Sequence, residues 1–202
     1  MLSSSVQDFN RQRATAFIPF AVLCLVVISA YIALKIQIVN RPPLQKQEIS
    51  KRAPASPMRG KPVPSFALPD LNGKIVTMDQ HRGKIVFINI WATWCAPCRE
   101  EMPSMEALYN KLKGDKFAML AISIDEDGLK SVGPFVEEYG LTFPILLDPS
   151  SKTSKKFKTT GVPETFIVNK DGIIIYHSLG PENWERPEFY ETITKLINDQ
   201  PI

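Results

Sequence analysis

A continuous apolar segment, residues 85–91, is followed closely by Cys95 and Cys98, and this arrangement limits what the chain can fold into. Such a run predicts a buried strand, and the residues after the first cysteine have a helical pattern. The unpaired N–H groups and partial positive charge of a helix N-terminus lower a thiol's pKa from its free value of about 8.5. Two sulfurs spaced Cys-x-x-Cys at this position can close and reopen a disulfide, so the segment predicts thiol–disulfide exchange.

The two cysteines are expected to have different roles. Cys95 precedes the helix, where solvent and a partner can reach it, and it is predicted to be the attacking nucleophile. Cys98 lies one turn into the helix and is predicted to be the buried thiol that resolves the mixed disulfide. A stable disulfide or a zinc site is the alternative, but zinc needs about four ligands. The histidines, His81 and His177, are far apart and are expected to be surface or strand residues without a catalytic part.

Two stretches of the sequence resemble one protein family. Residues 87–98, with Arg-Glu-Glu-Met-Pro following, resemble the active-site segment of the membrane-anchored thioredoxins of the ResA, TlpA and DsbE type. Residues 161–168, Gly-Val-Pro-Glu-Thr-Phe-Ile-Val, resemble the family's cis-proline loop and the strand after it, and are closest to the DsbE branch. The similarity extends over about residues 62–197, nearly all of the chain after the N-terminal segment.

The order of predicted elements agrees with this resemblance. A hairpin, a central strand, alternating helices and strands, and a terminal hairpin and helix predict a mixed sheet covered on both faces. The predicted fold class is therefore α/β, a thioredoxin fold with an N-terminal β-hairpin extension and a single N-terminal transmembrane helix. Strands are predicted at 66–68, 75–78, 84–91, 117–123, 145–147, 165–168 and 173–177, and helices at 97–113 (kinked at Pro103), 129–139, 151–158 and 187–197.

The resemblance also implies where a client peptide binds. Pro163 is expected to follow Val162 through a cis peptide bond, because cis bonds are mostly a proline phenomenon, whereas the residues alone favour a trans proline. The resemblance places this loop against the cysteines, where it offers backbone groups to the peptide. Trp94 is expected to pack beside the cysteines, and Glu164 either shapes partner choice or lies solvated in its loop. The predicted substrate-binding residues are Trp94, Ala96, Pro97, Val162 and Glu164.

Glu101 is the candidate proton carrier. Thioredoxins have a buried acid at the position of Asn89, where it helps to move the proton of the resolving thiol, and an amide cannot do this. Glu101, one turn after Cys98, matches the acid of the ResA-type pattern, and a carboxylate in apolar surroundings can have the raised pKa that suits proton transfer. Alternatively, Glu100 and Glu101 are solvated first-turn acids that favour the helix N-terminus.

The N-terminal part of the chain is predicted to be a membrane anchor. Residues 14–34 contain no charged side chain, and about 20 apolar residues span a bilayer as a helix. Retention is expected, because no convincing small-residue cleavage site follows. The Lys and Arg distribution does not support an external domain, but the resemblance and the persistence of disulfides outside the cytoplasm do. The predicted parts are a tail at 1–13, an anchor at 14–35, a Pro-rich basic linker at 36–61 and the thioredoxin-like domain at 62–202.

Charge and resemblance together define the expected partners. The net charge of +3 comes from basic residues before residue 61, so the domain is mildly acidic and nucleic-acid binding is not expected. The resemblance implies disulfide-bearing clients such as apocytochrome c, a transmembrane thiol electron donor, a monomeric domain and no cofactor beyond the redox-active Cys95–Cys98 pair. The alternatives are a thiol peroxidase, whose signature needs Pro at Ile88 and Thr at Ala92, and an SCO-type copper-delivery protein, which needs Cys-x-x-x-Cys.

Overall fold

The computed structural model describes residues 27–33, 35 and 57–201. Residues 27–33 and 35 are helical and exposed and belong to a first unit, residues 1–52, whereas a second unit comprises residues 53–202. No helix within the described ranges has the length and hydrophobicity needed to cross a bilayer. The predicted tail, most of the predicted anchor and most of the predicted linker lie outside the described residues.

The second unit contains a small hairpin and a five-stranded mixed sheet. The hairpin pairs β1 (Ala67–Pro69) with β2 (Ile75–Thr77) in antiparallel fashion. In the large sheet, β3 runs parallel to β4 and antiparallel to β6, β4 is parallel to β5, and β6 is antiparallel to β7. Its strands are β3 (Ile85–Trp91), β4 (Phe117–Ser123), β5 (Ile145–Leu147), β6 (Glu164–Val168) and β7 (Ile174–Leu179), in the spatial order β5-β4-β3-β6-β7. The predicted thioredoxin fold is confirmed.

Helices connect the strands of the large sheet. They are α1 (Ala96–Leu112) after β3, α2 (Leu129–Tyr139) after β4, α3 (Lys152–Lys156) after β5 and α4 (Pro187–Ile197) after β7. A 3-10 helix, Met78–His81, follows β2 and was not predicted. The second strand ends at Thr77 rather than continuing to residue 78, because the N–H of Thr77 donates to the side-chain oxygen of Gln80 over 3.0 Å.

Several boundaries differ from the prediction for local reasons. Helix α1 begins one residue early and continues through Pro103 without interruption. Helix α3 is shorter than the predicted 151–158, because Lys158 has a φ of 57° and so leaves the right-handed helical region. Strand β7 is longer than predicted, because its pairing with β6 continues to Leu179 opposite Glu164.

Both faces of the large sheet are covered, so every residue of β3 is buried. On one face, Phe87 and Trp91 belong to a hydrophobic cluster that includes both active-site cysteines. On the other face, Ile88 packs in a separate cluster with Phe166. Successive side chains of a strand point to opposite faces, which explains this division. Trp91 is fully buried in the first of these clusters.

Candidate active site

The cysteine pair lies between the end of β3 and the first turn of α1. Cys95 is the N-cap residue of α1 and is joined to Cys98 by a disulfide. The N–H of Cys98 donates to the Cys95 sulfur over 3.2 Å, a contact that favours a thiolate on Cys95 when the bond is reduced. Cys98 is fully buried, as predicted. Cys95 is less accessible than predicted, since only 5% of it is exposed in the disulfide form.

The segment before β6 covers the Cys95 sulfur. The peptide bond between Val162 and Pro163 is cis, which confirms the prediction. The carbonyl oxygen of Val162 lies 3.5 Å from the Cys95 sulfur, and this contact explains why so little of Cys95 is exposed. The Pro163 carbonyl accepts a hydrogen bond of 2.9 Å from the N–H of Gly180, just after β7. The two sequence stretches that carry the family resemblance are therefore in contact.

Apolar side chains form an exposed rim beside the disulfide, made of Trp94, Ala96, Pro97 and Val162. Trp94 is 67% exposed, Ala96 is also exposed, and Pro97 and Val162 are half-buried. That Trp94 packs beside the cysteines stays a prediction; most of its ring is exposed, because the chain has already left the sheet at this position. These four residues lie at the surface, where the substrate-binding prediction requires them.

Glu164 is not where the prediction placed it. It is the first residue of β6, pairs in register with Ile90 of β3, and is only 1% exposed, so it is neither a solvated loop residue nor a surface contact. Its Oε1 lies 2.6 Å from Nε2 of His177, whose ring stacks on Phe166 with centroids 4.4 Å apart. Strand alternation places Glu164 on the Phe166 face of the sheet. Its side chain is therefore unavailable to a client at the surface.

The histidines lie on elements other than that of the cysteine pair. His177 is a strand residue, as predicted, but its side chain is buried with Glu164. His81 ends the 3-10 helix, and burial lowers the pKa of its imidazole. In the part of the chain that the structure describes, no three His, Cys, Asp or Glu side chains are grouped so that they could hold a metal ion.

Glu101 is buried between β3 and the segment after β7. Only 2% of the residue is exposed, so the alternative of a solvated helix acid is wrong. Its Oε1 accepts a hydrogen bond of 2.8 Å from Nδ2 of Asn89. Its Oε2 accepts from the N–H of Glu182 over 3.1 Å and from Nε1 of Trp184 over 3.2 Å. Desolvation raises the pKa of Glu101 to about 7, against the opposing effect of these three donors. A carboxyl group with this pKa can hold or release a proton near neutral pH.

Asn89 orients the Glu101 carboxylate. Besides its bond to Glu101, Nδ2 of Asn89 donates to Oγ1 of Thr165 over 2.9 Å, and the two residues are register partners in β3 and β6. Its Oδ1 has no hydrogen-bond partner within the described ranges. Asn89 therefore occupies the position at which the resemblance to thioredoxins implies an acid, and its amide donates a hydrogen bond to the carboxylate of Glu101.

Asp125, which was not among the predicted site residues, holds the loop before Cys95. Its carboxylate accepts from the N–H of Thr93 over 3.0 Å, from the Thr93 hydroxyl over 2.6 Å and from the Ser123 hydroxyl over 2.8 Å. The contact could have been predicted, because Thr93 and Asp125 each come two residues after the end of a strand, β3 and β4. These strands are parallel neighbours, so residues that follow their carboxyl ends meet at the same edge of the sheet. Glu182 and Trp184 were also missed, and no local pattern in the sequence connects them with α1.

Comparisons with known proteins agree with this site. Residues 59–177 match the profile of the AhpC/TSA family. Thiol-disulfide oxidoreductase ResA from Bacillus thuringiensis (strain Al Hakam) is 37% identical over 131 residues, which represent 65% of this chain and 75% of that protein. The identity extends over most of the relative, so the similarity concerns a whole domain and not an isolated motif.

Solved structures share the fold. A Chlorobium tepidum protein assigned as a thiol:disulfide interchange protein DsbE superposes with a TM-score of 0.60 at 27% identity, over 70% of this chain and 96% of its own. StoA from Bacillus subtilis superposes with a TM-score of 0.56 over 64% of this chain and 97% of its own, and at 23% identity it shows the fold alone. The chain belongs to the AhpC/TSA family and is a thiol-disulfide oxidoreductase of the TlpA, ResA and DsbE type.

Proposed function

We propose that this oxidoreductase reduces disulfides in proteins outside the cytoplasm, with Cys95 as the nucleophile and Cys98 as the resolving thiol. The observation that carries the proposal is the Cys95–Cys98 disulfide at the N-terminus of α1, in contact with the carbonyl of Val162. A helix N-terminus favours the thiolate form of a cysteine at this position. The N-cap placement of one sulfur and the complete burial of the other separate the attacking group from the resolving group.

The reaction transfers two electrons from the dithiol to the client. The Cys95 thiolate attacks one sulfur of the client disulfide, which forms a mixed disulfide and releases the other client sulfur as a thiolate that takes up a proton. The Cys98 thiol then loses its proton and attacks the Cys95 sulfur. The Cys95–Cys98 bond forms again, and the second client sulfur leaves as a thiol after protonation. The chain is then oxidised and the client reduced.

Client binding is proposed at the exposed rim and the cis-proline loop. The rim side chains are apolar, so they suit apolar residues that flank the client's disulfide. Pro163 fixes the backbone of Val162 beside the Cys95 sulfur, where an extended client segment can meet it. Glu164 has no direct contact in this arrangement, because its carboxylate is bonded to His177 inside the domain.

Glu101 is proposed to receive the proton of Cys98. It lies one turn further along α1, and side chains at this spacing are neighbours on a helix surface. Its pKa of about 7 suits exchange of a proton near neutral pH. Oε1 accepts one hydrogen bond and Oε2 accepts two, so Oε1 has the lone pair that a proton can occupy.

The cellular setting of the proposal rests on the similarity to ResA and DsbE. An anchor at residues 14–35 would hold the domain, as a monomer, on the outer face of the membrane. Apocytochrome c is the proposed client, which places the protein in cytochrome c maturation. A transmembrane thiol donor would reduce Cys95–Cys98 again, and no cofactor beyond this disulfide is needed.

Covalent trapping in membranes from cells that produce the full-length chain tests the proposal. Cys98→Ser should accumulate mixed disulfides with clients, seen as reductant-sensitive bands on non-reducing gels, and mass spectrometry should identify haem-attachment cysteines among the trapped sites. Cys95→Ser is the matched control, since it retains the buried thiol and should capture little. Capture by Cys95→Ser alone would reverse the two roles. Peroxide consumption or copper binding by the wild type, with no capture by either variant, would favour the peroxidase or the copper-delivery alternative.

A further inference from the structure

The segment after β7 is attached to the active-site helix through Trp184. The main-chain N–H of Trp184 donates to Oγ of Ser104 over 3.1 Å, and this hydroxyl donates to the main-chain carbonyl of Glu101 over 2.8 Å. The indole Nε1 of the same residue donates to Oε2 of Glu101 over 3.2 Å. The main chain and the side chain of Trp184 therefore bind the same turn of α1.

The indole ring of Trp184 is fixed by its aromatic neighbours. The ring is fully buried, and its centroid lies 4.7 Å from that of Phe87 in an edge-on arrangement and 4.6 Å from that of Phe189. The N–H cannot turn away from Glu101 without the loss of this packing. The donor is thus in place before any proton moves, and the ring excludes water from Oε2.

We propose that Trp184 is a positioning residue for proton transfer, which binds Oε2 of Glu101 so that a proton is held at Oε1 and which sets the pH range of thiol exchange. The inference rests on the proposed role of Glu101 as the acceptor of the Cys98 proton. A hydrogen bond from a fixed N–H favours the carboxylate over the carboxylic acid. Removal of this donor therefore shifts the protonation of Glu101 to higher pH.

The other ionisable groups around Glu101 are few. Cys98 precedes it on α1. Glu182, in the segment after β7, opposes its ionisation by like charge and is itself paired with Arg186 over 3.0 Å. On β7, burial raises the pKa of the Tyr176 phenol, so this group is neutral near pH 7. The neutral polar side chains on this face include Asn89 of β3, Thr165 of β6 and Ser178 of β7. A proton step in thiol exchange near pH 7 therefore belongs to Glu101, to Cys98 or to the attacking thiol Cys95, and substitution of Glu101 separates its step from those of the cysteines.

The test is the pH profile of single-turnover exchange between the reduced full-length chain and oxidised glutathione. Glu101→Gln should remove a step near pH 7 from the profile. Trp184→Phe keeps an aromatic ring but loses the N–H, and it should move this step upward by about one pH unit. Trp91→Phe is the matched control, because Trp91 is equally buried in the same cluster and its Nε1 has no hydrogen-bond partner within the described ranges. This control should leave the midpoint where it is.

The double variant Glu101→Gln/Trp184→Phe distinguishes a failure of the proposed role of Trp184 from a failure of the proposed role of Glu101. If Trp184 acts through Glu101, the second substitution should move no midpoint in the Glu101→Gln background. A step that Glu101→Gln removes but Trp184→Phe does not move would overturn the role of Trp184 and leave that of Glu101 intact. If Trp184→Phe shifts a midpoint equally in the wild-type and the Glu101→Gln backgrounds, the role of Trp184 would be overturned as well. A step that survives Glu101→Gln would reject the proton role of Glu101, and the inference with it.

A measurement on the folded wild type covers the case in which Trp184→Phe does not fold. In the oxidised full-length chain Cys98 cannot titrate, so the indole N–H resonance of Trp184 in a nitrogen-15 NMR spectrum should follow Glu101 alone. Its shift should change near pH 7 and stop changing with pH in Glu101→Gln, while the resonances of Trp91 and Trp94 serve as internal references. A Trp184 resonance that is insensitive to pH in the wild type would contradict the proposal.

Discussion

Burial of Glu101 should make the oxidised protein less stable as the pH rises from about 4.5 to about 7. The pKa is 4.5 for an ordinary glutamate and about 7 in the folded protein. Between these values the folded state binds more protons than the unfolded state, so the free energy of unfolding falls with increasing pH. The contribution is fully present below the unfolded pKa and is lost as the pH rises through the folded pKa. At about 1.4 kcal/mol for each unit of pKa, the loss is about 3 kcal/mol.

Glu101→Gln isolates this effect, because glutamine does not ionise. Denaturant unfolding of the oxidised full-length wild type and variant, from about pH 4 to about pH 9, gives the difference in unfolding free energy at each pH. Groups that titrate equally in both proteins cancel in this difference. Glutamine leaves one acceptor oxygen for the three N–H donors of Asn89, Glu182 and Trp184, which adds a constant cost of about 1–3 kcal/mol. Beyond this constant offset, the unfolding free energy of the variant relative to that of the wild type should rise by about 3 kcal/mol as the pH increases and Glu101 ionises in the wild type.

The neighbouring acid provides the control. Glu100 lies in the same turn of α1 and is exposed, so Glu100→Gln should give a difference that does not vary with pH in this range. A flat difference curve for Glu101→Gln as well would mean that the carboxyl group ionises at an ordinary pKa despite its burial. That result would refute the reasoning that burial prepares Glu101 to hold a proton near neutral pH.

Two further predictions concern the loop and the direction of exchange. Asp125→Asn leaves one acceptor oxygen for the N–H of Thr93 and the hydroxyls of Thr93 and Ser123. The free energy of unfolding of the oxidised protein, measured with denaturant, should therefore fall by about 1–3 kcal/mol. The reduced protein should also exchange more slowly with oxidised glutathione. Asp127→Asn, at an exposed acid bonded to Ser131, should change neither, and an equal effect of both substitutions would show that Asp125 does not fix the loop. Equilibration of Cys95–Cys98 with glutathione or dithiothreitol should give a strongly reducing potential, and a value near the −120 mV or so of the oxidant DsbA would contradict the proposed direction.

The parts of the site that follow from local sequence were predicted well. The apolar run of β3 and the Cys-x-x-Cys spacing predict a strand followed by a helix with Cys95 at its start, and the structure confirms each element. Hydrophobic periodicity acts over a few residues, so it can be read without the fold. The cis bond before Pro163 was predicted because a family motif supplied what the residues alone do not.

Contacts between distant segments needed the folded chain. Glu164 is polar and follows a proline, and nothing local distinguishes it from a loop residue. Its burial with His177 follows from the register of β6 against β3, which places it on the Phe166 face. A change of one residue in that register would turn the same side chain to the opposite face.

The sequence alone determined the fold class, the redox pair and the position of the acid one turn after Cys98, because each depends on spacing along one segment. Only the tertiary structure decided the environment of that acid. Glu101 accepts from Asn89 and from Trp184, which lie 12 and 83 residues away in the chain, and neither distance is related to any sequence period. Its pKa depends on how completely the packed segments exclude water from one carboxylate, and that exclusion exists only once β3, α1 and the segment after β7 have come together.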